Sequence, residues 1–209
     1  NGLPSEPTVT ITPDPAYTNN DLTASATGSV DPEGNTVTYS YDWHLNGSSS
    51  GNTGPTLSAS LTNKGEVWTV YATPSDGTSD GVVGSASITI SNTAPTLSAV
   101  LVTPSTGVYN DDTLTCSVTV TDPDETITPS YEWSIGGTVV GSTDTLDLSS
   151  VGAVPTDSVV CTATATDSDG ESATGSSSAT IDNRDPSISS ISITPSSNAT
   201  TSETLVCMG

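Results

Sequence analysis

Apolar and polar residues alternate with a period of two through short runs bounded by Gly, Pro, Asn and Asp. That is the pattern of strands that turn one face to a core and the other to water. Between positions 95 and 185 the runs fall at roughly 97–103, 112–121, 127–135, 138–141, 144–148, 157–166 and 174–181. Leu114, Cys116, Val118 and Val120 share one face of the second run, and Tyr131, Trp133 and Ile135 share a face of the third. Val37, Tyr39, Tyr41, Trp43 and Leu45 repeat the arrangement nearer the N-terminus. About seven short strands in about 91 residues, separated by turns, predict an all-β fold of two-sheet sandwiches.

The same runs recur along the chain. Ile11-Thr12-Pro13 returns as Val102-Thr103-Pro104 and again as Ile193-Thr194-Pro195, both steps being 91 residues. Asp31-Pro32 returns as Asp122-Pro123 and Ala94-Pro95 as Asp185-Pro186 at that period. Tyr41-Asp42-Trp43 maps to Tyr131-Glu132-Trp133, and Ser75-Asp76-Gly77 to Ser168-Asp169-Gly170, with small shifts. Ordered anchors of this kind define a tandem repeat. The expected units are 1–94, 95–185, and 186–209 as the first two strands of a third. That third unit is expected to be a segment of a longer array. The alternative is a terminus completed by strands from another chain. Absence of an initiator Met and of a signal peptide suggests a mature, processed or excised chain.

Charge narrows the function classes. The 209 residues include 24 Asp+Glu and 2 Lys+Arg, a net charge of −22. Phosphate contacts need Lys and Arg, so nucleic acid is excluded as a partner. An anionic membrane surface would repel the chain, and no apolar run approaches a spanning length, so direct membrane insertion is not expected. Hydrophobic residues are 32% and aromatics 4%, with no Phe. Low hydrophobicity with high charge usually means disorder, but strand alternation and the repeat oppose it here.

Cys116 lies on the second predicted strand of its unit and Cys161 on the sixth, with Trp133 between them. Alternation turns both cysteines inward. A disulfide between the sheets with a Trp packed on it is the expected core arrangement; two free buried thiols are the alternative. In the first unit Ala24 aligns with Cys116 and Trp68 with Cys161, a small residue facing a large one, with Trp43 in the place of Trp133. Volume conserved in this way can fill the space of a cystine. Cys207 aligns with Cys116. Disulfides point to an oxidising compartment, hence an extracellular or cell-surface location.

Tyr41-Asp42-Trp43-His44-Leu45-Asn46-Gly47 and Tyr131-Glu132-Trp133-Ser134-Ile135-Gly136-Gly137 resemble the third strand of bacterial and archaeal immunoglobulin-like (PKD-like) domains. Ala72-Thr73-Pro74-Ser75-Asp76-Gly77 and Ala165-Thr166-Asp167-Ser168-Asp169-Gly170 resemble the end of their sixth strand. The PKD Phe-Gly-Asp-Gly after the Trp is absent. The resemblance implies tandem spacer domains in a large extracellular surface protein, and no catalysis.

Acidic loops carry the most informative polar chemistry. Asp122, Asp124 and Glu125 fall between the second and third strands; Asp167, Asp169 and Glu171 fall between the sixth and seventh. In a sandwich of this type both loops lie at the end that receives the linker Ser91-Asn92-Thr93-Ala94-Pro95. Six carboxylates are therefore expected to converge there, a density of hard oxygens that suits Ca²⁺. Turn chemistry at Asp-Pro and Asp-Gly is the alternative. Asp31, Glu33 and Asp76 are the first unit's equivalents, and Asp182-Asn183-Arg184-Asp185 is the next linker.

His44 is the one histidine and is expected on the outer face of its strand, which leaves no usual zinc site. No Gly-x-Ser-x-Gly elbow is present. Asn46 and Asn198 head sequons in predicted loops and are candidate glycosylation sites. The expected function is a structural repeat segment of a surface stalk, fibre or filament. Its partners would be neighbouring modules of the same protein or identical subunits. One alternative is an adhesin module recognising glycan or a partner cell, for which Tyr17 and Tyr109 are the candidate exposed aromatics. Another is a set of accessory domains of a secreted enzyme.

Overall fold

The computed structural model describes residues 1–194 and 196–208. Pro195, which closes the third anchor triplet, and Gly209 lie outside the described residues. The first sandwich contains β1 (Thr8–Thr12), β2 (Ala16–Tyr17), β3 (Leu22–Thr27), β4 (Thr38–Leu45), β5 (Ser48–Ser49), β6 (Thr56–Leu57), β7 (Val67–Ser75) and β8 (Gly84–Ser91). One sheet has the order β1-β3-β6 and the other β2-β8-β7-β4-β5.

The second sandwich contains β9 (Thr96–Leu97), β10 (Leu101–Thr103), β11 (Thr113–Ser117), β12 (Val120–Thr121), β13 (Ser130–Ile135), β14 (Thr138–Gly141), β15 (Thr145–Asp147), β16 (Ser158–Thr166) and β17 (Ser172–Thr180). Its sheets are β10-β11-β15, the separate pair β12-β9, and β14-β13-β16-β17. Two sheets of this order, antiparallel except where β2 runs parallel to β8, make an all-β, immunoglobulin-like fold. Two of the runs read as continuous strands are each interrupted, giving β9 and β10, and β11 and β12. Among the described residues no helix is long and apolar enough to cross a membrane.

Each sandwich closes on its own core. Ile11, Leu22, Trp43, Trp68, Val70 and Ile90 cluster in the first; Val102, Leu114, Trp133, Val159, Cys161 and Ile181 cluster in the second. Trp43 and Trp133 are fully buried. An indole N–H taken out of water needs an acceptor. Trp43 Nε1 donates to the Gly54 carbonyl at 3.0 Å, and Trp133 Nε1 to the Thr143 carbonyl at 2.8 Å. Small-residue turns bring β4 to β5 and β13 to β14: Asn46 (φ 47°) with Gly47 (φ 88°), and Gly136 (φ 57°) with Gly137 (φ 80°). Two successive positive φ values match the hairpin turn that fits strand twist.

Cys116 on β11 and Cys161 on β16 form a disulfide that ties the two sheets together. Strand register corrects the expected match in the first sandwich. Trp133 faces Cys161, whereas Trp43 faces Val70. Val70 therefore holds the place of Cys161. Trp68 faces Leu45, as Val159 faces Ile135, and so matches Val159. The misalignment arose because a two-residue slip leaves every side chain on the same face. Ala24 does match Cys116: Ile11 faces Ala24 as Val102 faces Cys116. Ala24 and Val70 fill with methyl groups what the cystine fills in the second sandwich.

Beyond the second sandwich, β18 (Ser192–Thr194) and β19 (Val206–Met208) pair as a hairpin. Ile193 faces Cys207 in the register of Val102 and Cys116. Positions that are buried in the second sandwich are open here: Ile193 is 51% exposed and Leu205 57%, against 5% for Val102 and 0% for Leu114. Cys207 is a free, exposed thiol.

The disulfide spans 45 residues, so its removal is expected to cost the second sandwich about 2–4 kcal/mol. Calorimetry of a Cys116→Ala/Cys161→Ala variant should show one unfolding transition lowered by about 10 °C or more. The transition of the first sandwich should stay in place. Equal movement of both would mean that the cystine supports more than its own core.

Candidate functional site

The acidic loops of the second sandwich meet the linker at the end facing the first. Asp167, buried at 6% exposure, organises this end. Its Oδ1 accepts the backbone N–H of Asp169 at 3.0 Å and of Glu171 at 2.8 Å. Its Oδ2 accepts the side-chain amide of Asn92 at 2.8 Å, and the same amide donates to Glu171 Oε2 at 2.8 Å. One asparagine of the linker thus bridges two carboxylates.

Neighbouring groups complete the grip. The Thr93 N–H donates to Asp124 Oδ2 at 2.8 Å, and Thr93 Oγ1 lies 2.7 Å from Thr18 Oγ1 of the first sandwich. Asp122 Oδ1 accepts the N–H groups of Asp124 and Glu125, holding that loop in shape. Glu125 Oε1 accepts both N–H and Oγ–H of Ser168 at 2.9 and 2.8 Å, which joins the two loops. Lys64 reaches across from the first sandwich to hydrogen-bond Asp169, with Glu125 Oε1 at 4.0 Å.

Burial pushes the Asp167 carboxyl up, but donors from Asn92 and from the Glu171, Asp169 and Gly170 backbone outweigh it and hold the group below its ordinary 3.8. Glu125 is held below 4.5, first by the Ser168 backbone and hydroxyl donors and further by Lys64. Carboxyls depressed in the folded state stabilise fully above their ordinary values, and that contribution fades as pH falls through the depressed ones. Lys64 is raised above 10.5, chiefly by its bond to Asp169. Its contribution is complete below that value and is lost as pH rises through the raised one.

The same construction stands at the N-terminal side of the first sandwich. Asn1 Nδ2 donates to Asp76 Oδ2 at 2.7 Å, and the Gly2 N–H donates to Glu33 at 2.9 Å. Asn1, Asn92 and Asn183 each precede a proline by three residues at a spacing of 91. Their carboxylate partners Asp76 and Asp167 are also 91 apart. Each directly follows its strand, β7 or β16, so Asp76 matches Asp167 and not Asp169 as the Ser-Asp-Gly triplets suggest. Sequence reasoning weighed the carboxylates and passed over the asparagines, although their period was available to it. In the following linker Arg184 makes a two-pronged contact with Asp111, at 2.7 and 3.0 Å, and lies 4.5 Å from the Tyr109 ring centroid.

The residues expected to hold Ca²⁺ therefore share one end of the sandwich, but four of them already give an oxygen to a donor from the linker or the first sandwich. Asp167 and Glu171 take Asn92, Asp124 takes Thr93, and Asp169 takes Lys64. Among the described residues no group of three or more His, Cys, Asp or Glu side chains is arranged to hold a metal ion. Asp122 Oδ2 and Asn92 Oδ1 are buried there without a donor, as is Asp31 Oδ1 in the first sandwich. His44 sits on the outer face of β4, with Nε2 2.8 Å from Asp42 Oδ2 and its ring edge-on to Tyr71. Asn46 and Asn198 are both exposed. Asn46 Oδ1 accepts the Val67 N–H.

No protein-family model matches the chain, and no curated protein sequence matches it. Solved structures of similar shape include a Ca²⁺-stabilised adhesin with which an Antarctic bacterium binds ice. It has 18% identity and a TM-score of 0.34, over 96% of this chain and 52% of that one. Three N-terminal domains of the highly immunogenic outer capsid protein of bacteriophage RB49 match at 16% identity and a TM-score of 0.34. That match covers 93% of this chain and 61% of the other. Fibronectin(III)-like modules of Clostridium thermocellum CbhA match at 18% identity and a TM-score of 0.31, over 84% of this chain and 94% of theirs. The chain spans about half the length of the ice-binding adhesin.

Replacing Asn92 with Ala removes the bridge while leaving Asp167 buried, which is destabilising for an anionic group. In Asn92→Ala the two sandwiches are expected to tumble with more independence, read as a drop in the rotational correlation time of each by NMR relaxation. Wild-type protein acidified until the depressed Asp167 and Glu125 carboxyls protonate should behave likewise, because their contribution is lost as pH falls through their lowered values. Unchanged tumbling in both cases would place the stiffness elsewhere in the linker.

Proposed function

We propose that this chain is a spacer segment of an extracellular stalk, fibre or filament, in which each immunoglobulin-like sandwich is set at a fixed angle to the next. One observation carries the reading: the asparagine-to-aspartate grip on the linker recurs, at Asn1–Asp76 and Asn92–Asp167. A flexible tether needs no such contacts, since Gly/Ser-rich chain suffices. A chain of rigid units does need them, because each hydrogen bond removes freedom from the connecting residues.

Other features support an extracellular, non-catalytic role. The cystine suits an oxidising compartment. Strong like charge keeps long arrays soluble and apart. The acid–imidazole pair Asp42–His44 has Ser49 bonded to the acid rather than to the imidazole, so the order needed to activate a hydroxyl is missing. The partners proposed are neighbouring modules or identical subunits. Small-angle scattering should return a single centre-to-centre distance for the two sandwiches from 20 to 500 mM salt. A distance that broadens into a distribution in wild-type protein would return the linker to a tether.

Two buried acceptors favour a further part of the proposal, that Ca²⁺ reinforces the junction. Asp122 Oδ2 and Asn92 Oδ1 are oxygens without donors beside an acidic loop pair. Hard cations take such oxygens. Millimolar Ca²⁺ is then expected to raise the melting temperature by a few degrees relative to EGTA, through preferential binding to the folded state. Asp122→Asn should abolish the rise. Identical melting curves in Ca²⁺ and EGTA would assign these loops to turn chemistry alone.

A further inference from the structure

Tyr17 and Tyr109 hold equivalent places in the two sandwiches. Each follows a residue paired in parallel with the end of its sandwich, Ala16 with Ile90 and Val108 with Ile181. Each donates its backbone N–H to the side chain three residues on, to Asn20 Oδ1 at 2.9 Å and to Asp112 Oδ2 at 2.7 Å. What lies against the rings differs. Tyr109 carries the Arg184 guanidinium, and Asp111 grips that guanidinium from the side with two hydrogen bonds. Ninety-one residues earlier the linker has Thr93 in place of Arg184, and the Thr93 hydroxyl is bonded to Thr18. Tyr17 is left 40% exposed. It lines a groove of about 320 Å³ together with Asn19, Thr93, Ala94 and Glu171.

We propose that this groove is a docking point for an arginine side chain presented by a protein partner. The chain itself shows which group an aromatic ring and a carboxylate at this position accept, because Arg184 fills the matching place on Tyr109. In the Tyr17 groove the ring is present, Asn19 stands in the place of Asp111, and the carboxylate of the groove is Glu171 of the following sandwich. Glu171 gives Oε2 to Asn92, and its other oxygen is the acceptor for an incoming guanidinium. A guanidinium suits the pairing better than an ammonium, since it is planar, stacks on a ring and bonds a carboxylate at its edge. No cation of this chain serves the groove: Lys64 is bonded to Asp169 and Arg184 to Asp111. A net charge of −22 draws basic partners toward the surface, and the ring with its carboxylate fixes where one of their side chains seats. The inference goes beyond the spacer reading, giving the junction a contact with a second protein as well as a stiffening role.

The test follows tyrosine ring resonances in the full chain, selectively ¹³C-labelled, during titration with N-acetyl-arginine amide at low salt. The uncharged isostere N-acetyl-citrulline amide is the control. The expected result is saturable movement of the Tyr17 signals with arginine and none with citrulline. Glu171→Gln should weaken binding about threefold to tenfold, and the signals missing from Tyr17→Leu, at an exposed position, assign the Tyr17 resonances. Arg184→Ala supplies an internal standard, because Tyr109 should then begin to respond to the same probe. Silence of Tyr17 overturns the proposal whether or not Tyr109 responds. Equal shifts with citrulline overturn it as well, by showing stacking without cation recognition. Uniform drift of all tyrosines does the same, by showing only diffuse attraction to an acidic surface.

Discussion

A buried carboxylate must be surrounded by donors, and Asp167 meets that requirement by drawing in the linker. Its backbone partners at Asp169 and Glu171 shape the loop between β16 and β17. Its remaining oxygen takes Asn92, and the amide of Asn92 then reaches Glu171. Removal of the asparagine would leave a desolvated charge short of a donor, a larger penalty than loss of an exposed hydrogen bond. The path of the linker is therefore coupled to the solvation of one side chain. Repetition of the contact at Asn1 and Asp76 makes it a property of the repeating unit and not an accident of one junction.

Scarcity of positive charge gives the two cations their meaning. In a chain with 24 acidic residues, a lone Lys or Arg placed at random would gain little, since exposed ion pairs contribute modestly. Both instead stand where modules meet linkers. Lys64 crosses from one sandwich to the loop of the next, where it relieves repulsion among Glu125, Asp169 and their neighbours. Arg184 fastens the following linker back onto Asp111 and Tyr109. Neutral asparagine amides do the same work deeper in the junction, without the cost of burying a cation.

Much of the fold was legible because two-residue periodicity is imposed directly by strand geometry. The runs around Leu114, Trp133 and Cys161 fall on β11, β13 and β16, and the recurrence at 91 residues located matching strands in both sandwiches. Register was less legible. Trp68 was matched to Cys161 when Val70 occupies that place, since alternation fixes the face of a residue and not its partner. The acidic loops were seen as a charge cluster, while the donors that satisfy them were not. The recurrence of Asn1, Asn92 and Asn183 at 91 residues marks these positions, but nothing in one sequence pairs Asn92 with Asp167 and Glu171, 75 and 79 positions away.

Strand class, repeat length, apolar faces and the large negative charge all follow from the order of residues, because each is a sum over local residue properties. Which oxygen meets which donor was settled by packing. It set Lys64 against a carboxylate of the next module, and it capped Tyr109 with Arg184 while leaving Tyr17 open. Those outcomes depend on loop ends brought together by sheet packing and on ångström-scale directions of short side chains. Neither is encoded in the order of apolar and polar residues along the chain.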